Sequence, residues 1–337
     1  MSSFIKNIRK HFVTKNSILE RQDNNLILYI LDENGNKINR NSLPSETIEE
    51  IYFLSKTHID TETIAFCSDK NILLHFFNHQ DRYTGTFFPS GINAVNKSGF
   101  VLLQQAKAFL DTKKRLYIAK QINKAHFESM IFVLKKYEID TSYADNFFDH
   151  IEFCKTVEEL MLLEGRLKEW YYQQWNLIVK DKKNFYFEYR SKRPPLDKIN
   201  VLISFINTLI YSCVLSQIYK TELEPKISFL HEPNYRRLSL HLDLAEFIKP
   251  RYGDNLIFTL INKKIITAKS FKKESGFLLL NQDAKVEIIK QSSAMLGKNY
   301  LYKQRELPLK ELIKIECNNL KRFIVEGGEY EPFIHKQ

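Results

Sequence analysis

Cysteine is scarce in this chain. Only Cys67, Cys154, Cys213 and Cys317 occur in 337 residues, far apart and with no CxxC pair. That argues against a disulfide framework or a structural zinc site and fits a reducing cytoplasm. Glycine (10) and proline (9) are also few, which excludes collagen-like and linker-dominated chains. There is no P-loop and no nucleophile-elbow motif. Internal repeats and low-complexity tracts are absent as well. The first residues, Met1-Ser2-Ser3-Phe4-Ile5-Lys6, run into Arg9, Lys10 and His11 without an apolar core, so no export signal is expected. One stretch, Ile199–Ile218, is long enough to span a bilayer, but Asn200, Ser204, Thr208, Ser212 and Ser216 recur every four residues along it. That spacing draws a polar stripe down one helix face and predicts a buried bundle helix with no membrane span.

What remains is ordinary globular material, 44% hydrophobic and 27% charged. At roughly 150 residues per domain the length suggests about two domains. The charge is uneven. Residues 1–92 carry 10 Lys and Arg against 11 Asp and Glu, whereas residues 93–337 carry 40 against 29. A basic stretch beside a neutral one points to a polyanion partner, with a general solubility bias as the plainer alternative.

The hydrophobic period changes at the same place. Asn25–Leu31, Ile51–Leu54, Ile72–Phe77 and Tyr83–Phe88 read as strands, Asn34-Gly35 as a hairpin turn, and Ile64–Cys67 as a short helix. After Pro89-Ser90-Gly91, Phe100, Leu103, Ala106 and Leu110 follow helical spacing, continued by Ile118–Leu134 and Val157–Trp175. The expected fold class is α+β: an N-terminal β-rich domain over 1–92 and a larger all-α domain over 93–337, with a non-helical exception near Lys182–Tyr189.

Three segments carry chemistry. In the first, Leu160, Leu163, Leu167 and Trp170 form an apolar helical stripe that includes Glu164. A carboxylate there is costly unless paired or bound to a cation; a surface-edge pair with Lys168 is the alternative. In the second, His231 stands where Ile227–Leu230 meets Pro233, and Asp243 and Glu246 lie three apart on one face beside Leu240, Leu244 and Phe247. A hydrogen-bonded loop histidine and a solvated acidic face, with Glu246 paired to Lys249, would account for these residues equally. Together the three carboxylates and the imidazole form a candidate site for Mg²⁺ or Mn²⁺. The third, Lys180–Pro195, interleaves six cations, among them Lys182, Lys183, Arg190, Lys192 and Arg193, with four aromatics. That pattern suits a groove tracking a nucleic-acid backbone, or a solvated loop with core rings.

The order of these motifs resembles the CRISPR-associated integrase family, the metal-dependent nucleases of spacer acquisition. The resemblance rests on Glu164-Gly165-Arg166-Leu167-Lys168, on Arg190 with Pro194-Pro195 and Asn200–Phe205, and on Leu230-His231-Glu232-Pro233 followed by Arg237–Glu246. It extends to Asp23–Leu26 and to Phe76-Phe77-Asn78 through Tyr83-Thr84-Gly85. It implies an N-terminal β-sandwich and a helical catalytic domain, with Glu164, His231 and Glu246 as metal ligands and Asp243 beside them. It further implies integration of short foreign DNA into a CRISPR array, double-stranded DNA as substrate, a homodimer, and a small ferredoxin-like partner in a prokaryotic cytoplasm. Arg236 and Arg237 join the expected DNA contacts. A nuclease of branched DNA and a non-catalytic DNA-binding scaffold are the rival functions. His241, where the family usually has a small residue, and Asp81-Arg82, in a turn where glycine is common, depart from the pattern.

Overall fold

The structure is a computed structural model that describes residues 9–78, 82–89, 99–192, 194–233, 238–274 and 276–332. Of the sequence expectations, Arg193, Arg236, Arg237, Asp81 and the junction at 92/93 lie outside the described residues. The chain divides into two compact units, Met1–Asn96 and Lys97–Gln337.

The first unit is a β-sandwich. One sheet is built from β1 (Arg9–Val13), β5 (Ile48–Phe53), β7 (Leu73–Phe77) and β8 (Tyr83–Phe87), paired in that order. The other contains β2 (Ser17–Gln22), β3 (Asn25–Leu31), β4 (Lys37–Pro44) and β6 (Thr57–Ile59), ordered β4-β3-β2-β6. The Asn34-Gly35 turn joins β3 to β4: Gly35 has φ +85°, and Asp32 accepts the Asn34 and Asn36 amides at 2.9 and 2.8 Å. Alternation sends Leu19, Leu26 and Leu28 of one sheet and Val13, Ile51, Phe53 and Leu74 of the other into a shared core. Helix α1 (Thr61–Asp69) closes one end with Phe66 and Cys67, its N-terminus capped by Asp60, which accepts the Thr63 amide at 2.7 Å.

The second unit is helical: α2 (Gly99–Leu110), α3 (Thr112–Lys136), α4 (Phe147–Phe153), α5 (Val157–Gln173), α6 (Trp175–Ile178), α7 (Lys198–Tyr219), α8 (Leu240–Ala245), α9 (Asn255–Asn262), α10 (Gln282–Gly297) and α11 (Leu309–Glu326). A π-helical turn, Lys249–Asp254, lies between α8 and α9. Two small hairpins, β9 (Phe271–Glu274) with β10 (Phe277–Leu280) and β11 (Asn299–Tyr302) with β12 (Arg305–Pro308), interrupt the helices, where periodicity alone predicts none.

Helix α7 is the apolar stretch of the sequence. It is long and apolar enough to cross a membrane, but 78% of its most apolar window is buried inside the protein. Its polar stripe is used internally: the Thr208 and Ser212 hydroxyls donate to carbonyls four residues back, each at 2.8 Å. Helix α2 has the predicted period but buries the opposite face. Val101, Gln105 and Ala108 point inward, while Phe100 (57% exposed), Leu103 and Leu110 face outward. Gln105 is drawn in because its amide grips the backbone at Glu224 N, Glu224 O and Ile227 O, at 2.8 to 3.0 Å.

A buried carboxylate and imidazole centre

Helix α5 begins at Thr156, whose hydroxyl accepts the Glu159 amide at 3.2 Å. Its buried face runs Val157, Leu160, Glu164, Leu167, Tyr171. Glu164 therefore sits inside the apolar stripe, 5% exposed. The i, i+4 pair with Lys168 forms, but it is interior and not a surface-edge pair. The Lys168 ammonium contacts Glu164 Oε1 and also reaches Glu246 Oε2 at 3.0 Å.

Helix α8 and the residues after it supply the other acids. Asp243 and Glu246 are buried, at 0% and 2% exposure, so they do not form a solvated face. Asp243 accepts three successive amides, Phe229 N at 2.6 Å, Leu230 N at 2.9 Å and His231 N at 3.0 Å. It also bonds His231 Nδ1 at 2.8 Å. One carboxylate thus fixes both the His231 loop and the imidazole ring. A proton on Nδ1 for that bond leaves Nε2 with its lone pair in the neutral ring. Nε2 lies 3.8 Å from Glu246 Oε1, and Lys249 Nζ lies 2.7 Å from the same oxygen.

A second imidazole, His126 of α3, meets the other side of the centre. Its Nδ1 is 3.8 Å from Glu164 Oε1 and 3.5 Å from Glu246 Oε2. These three groups offer ligand atoms within 4.8 Å of one another, and apart from the Lys168 ion pairs none of the three facing atoms has a hydrogen-bond partner. Ligand atoms around an octahedral ion with bonds of about 2.1 Å are roughly 3 to 4.2 Å apart. The two His126 distances, 3.8 and 3.5 Å, lie in that range, and no pair in the cluster is more than 4.8 Å apart. Hard oxygens with one nitrogen are the donor set of Mg²⁺ or Mn²⁺, so the residues fit such an ion.

The electrostatics favour a charged centre. Burial works to raise the Glu246 pKa, but Lys168, Lys249, His126 and His231 together hold it well below the usual carboxylate range. Burial opposes charge on Lys168 and Lys249 too, yet the glutamates, with Tyr211 beside Lys249, keep both pKa values raised. For His126 burial dominates and pushes its pKa well down, leaving a neutral imidazole. For His231 burial is outweighed by the Asp243 hydrogen bond and by the Asp243 and Glu246 charges, and the pKa rises. Behind the centre, the π-helical turn places Asp254 where burial raises its pKa to about 7, with the Tyr171 hydroxyl donating to Oδ2 at 3.0 Å.

Of the residues singled out in the sequence, His231 and Asp243 pair with each other and His231 faces Glu246, while Glu164 meets Glu246 across His126 and Lys168; the compact three-group cluster holds His126 in place of His231. The structure adds His126, Asp254 and the bridging position of Lys168, which sequence reasoning misses. His126 carries the same signal as Glu164, a polar group on a buried helical stripe, here between Ile122 and Met130 at four-residue spacing. The basic segment divides. Phe185 and Phe187 are core residues, whereas Lys182, Lys183, Tyr186, Tyr189 and Lys192 are exposed. Arg190 is turned inward, donating to Asn200 Oδ1 at 2.7 Å and Ser204 Oγ at 3.1 Å. His241 packs edge-on against Tyr211, ring centroids 5.4 Å apart.

A β-sandwich followed by a helical unit with a buried pair of glutamates between two imidazoles defines a class, a two-unit protein with a candidate divalent-cation site in its helical part. Comparison with known proteins names the family. Residues 11–293 match the family model described as CRISPR associated protein Cas1. The chain is 33% identical over 332 residues to CRISPR-associated endonuclease Cas1 2 of Thermodesulfovibrio yellowstonii, covering 96% of this chain and 98% of that one. It is 34% identical over 334 residues to CRISPR-associated endonuclease Cas1 of Fusobacterium nucleatum, covering 96% of each. The solved structure of a CAS1 protein from Thermotoga maritima is similar, with TM-score 0.85, 33% identity, and 97% of this chain and 100% of that chain covered. A casposase bound to integration product shares the fold at TM-score 0.86 and 20% identity, over 97% of this chain and 94% of that one. The chain belongs to the CRISPR-associated Cas1 family.

Proposed function

We propose that this chain is a metal-dependent DNA integrase and endonuclease that inserts short foreign DNA into a CRISPR array. The observation that carries the reading is the convergence of Glu164 and Glu246 with two imidazoles inside the helical unit of a Cas1 family member. Glu164, His231 and Glu246 would hold Mg²⁺ or Mn²⁺, and His126, whose Nδ1 faces both glutamates, is a further candidate donor. Once bound, such an ion supplies Lewis-acid activation of an oxygen nucleophile and offsets charge on the phosphoryl transition state.

The protein's own part is positioning. Asp243 keeps Nδ1 of His231 engaged and directs Nε2 toward Glu246. A 3′-hydroxyl of the incoming DNA attacks a phosphorus of the repeat. The new phosphodiester forms as the repeat's own P–O3′ bond breaks, and the departing 3′-oxygen takes up a proton. The same site with water as nucleophile gives hydrolysis, in line with relatives named endonucleases. Lys182, Lys183 and Lys192, exposed beside Tyr186 and Tyr189, would track the double-stranded DNA backbone. Arg193, Arg236 and Arg237 belong to the same basic set. The nearly neutral residues 1–92 would serve homodimer contacts, and residues 93–337 catalysis and DNA binding. A small ferredoxin-like partner and a cytoplasmic setting complete the proposal.

The test is strand transfer of labelled DNA into a repeat-bearing plasmid with Mn²⁺ and that partner present. Glu164→Ala and His231→Ala should abolish product. Asp243→Asn should lower it by about 10- to 100-fold through the misoriented imidazole. Normal integration by Glu164→Ala would show the assignment to be wrong.

A further inference from the structure

Lys168 occupies a contested place. Its ammonium contacts Glu164 Oε1 and lies 3.0 Å from Glu246 Oε2, the same two oxygens that face His126 Nδ1. A divalent ion bonded to both oxygens would stand at contact distance from that ammonium, and like charges so close in a buried setting repel strongly. The ammonium must therefore leave when the ion arrives. A charged group without a partner is costly inside a protein, so it needs somewhere to go.

The structure contains such a place. Lys168 lines a small cavity of about 10 Å³ that adjoins the centre at His126 and is lined further by Tyr171, Tyr172, Lys249 and Asp254. That volume is about what one water-sized group requires, and an ammonium head is of that size. Asp254 is 5% exposed, and its Oδ2 accepts the Tyr171 hydroxyl at 3.0 Å. It stands at the end of the π-helical turn that starts at Lys249. Lys249 is already engaged, with Glu246 Oε1 at 2.7 Å and Tyr211 Oη at 3.3 Å. Among the residues lining this cavity, Asp254 is the carboxylate.

We propose that Asp254 is a positioning residue that receives the Lys168 ammonium in this cavity when a divalent cation takes Glu164 and Glu246. The inference rests on the reading of those two glutamates as cation ligands. Asp254 then acts on the ion through Lys168 and does not touch it. Lys168 is a gate, held across the glutamates without the ion and withdrawn beside Asp254 with it.

The test is Mn²⁺ binding to the full chain by calorimetry, with no DNA and no turnover, in a double-mutant cycle. Asp254→Asn should weaken Mn²⁺ binding by about tenfold, within the usual range for coupled sites. Lys168→Met should tighten it. In the Lys168→Met background, Asp254→Asn should change the affinity less than about twofold, because the group that needs Asp254 is gone. An equal loss in both backgrounds would show that Asp254 acts without Lys168 and would overturn the proposal, as would no loss in either. Should Asp254→Asn fail to fold, Lys168→Met decides alone, since Mn²⁺ bound no more tightly than by the parent removes the competition on which the gate depends. Absence of Mn²⁺ binding to the unmodified chain is a separate outcome, which overturns the cation reading itself.

Discussion

Single residues in the wrong company carry most of what the sequence reveals about the site. Glu164 is legible because a carboxylate stands in an apolar stripe, and burial within α5 is the reason it stands there. His126 carries the same signal in α3, but polar residues are scattered through that helix, so its one imidazole does not stand out from them. Asp254 is invisible because its importance comes from a turn that follows no simple period. Its titration has a consequence for stability. Burial raises the carboxyl from 3.8 to about 7, so the folded chain keeps a proton that the unfolded chain has already lost. The associated stability is full below about pH 4 and declines as pH rises toward 7. Asp254→Asn in the metal-free protein should therefore gain melting temperature over the parent at pH 8, by an equivalent on the order of 2 to 4 kcal/mol, and little at pH 4. A difference between the two proteins that is constant across this range would contradict the assignment.

Elements are legible where pattern and burial agree. The β3 run and the Asn34-Gly35 turn stand out because an alternating strand and a left-handed glycine leave unambiguous marks. Strands β1 and β4 do not: Arg9–Val13 and Lys37–Pro44 are polar, and β4 is largely exposed, so partner strands rather than composition make them strands. Helix α2 shows the complementary failure. Its period is correct, but periodicity does not say which apolar face is covered. The π-helical turn depends on a close approach that composition cannot show. A Cβ on Gly253 would meet Ile210 Cδ1 of α7 at 2.8 Å. Gly253→Ala should cost about 1 to 3 kcal/mol by forcing that contact apart. Thermal unfolding is the measurement, and an unchanged midpoint would mean that the turn has more room than its packing indicates.

For the whole molecule, the charge imbalance between residues 1–92 and 93–337 is plain in the sequence, although its use is only partly electrostatic in the simple sense. Arg190 is committed to α7, so the exposed cations among the described residues of its segment are Lys180, Lys182, Lys183 and Lys192, of which the last three are the proposed DNA contacts. Replacing these three by alanine should reduce the slope of log affinity for duplex DNA against log salt, by up to about 0.9 for each phosphate left without its cation. An unchanged slope would place the DNA path elsewhere. The acids in the basic part have internal cations of their own. Lys168 and Lys249 already balance Glu164 and Glu246, so the fold does not wait for a metal to neutralise its interior. Chelation with EDTA should then move the melting midpoint by no more than about 2 °C, unlike a zinc finger, which unfolds when its ion is removed. A collapse on chelation would refute this. On the proposed cation reading, such a protein folds in a dormant form, and ion supply rather than synthesis times its activity.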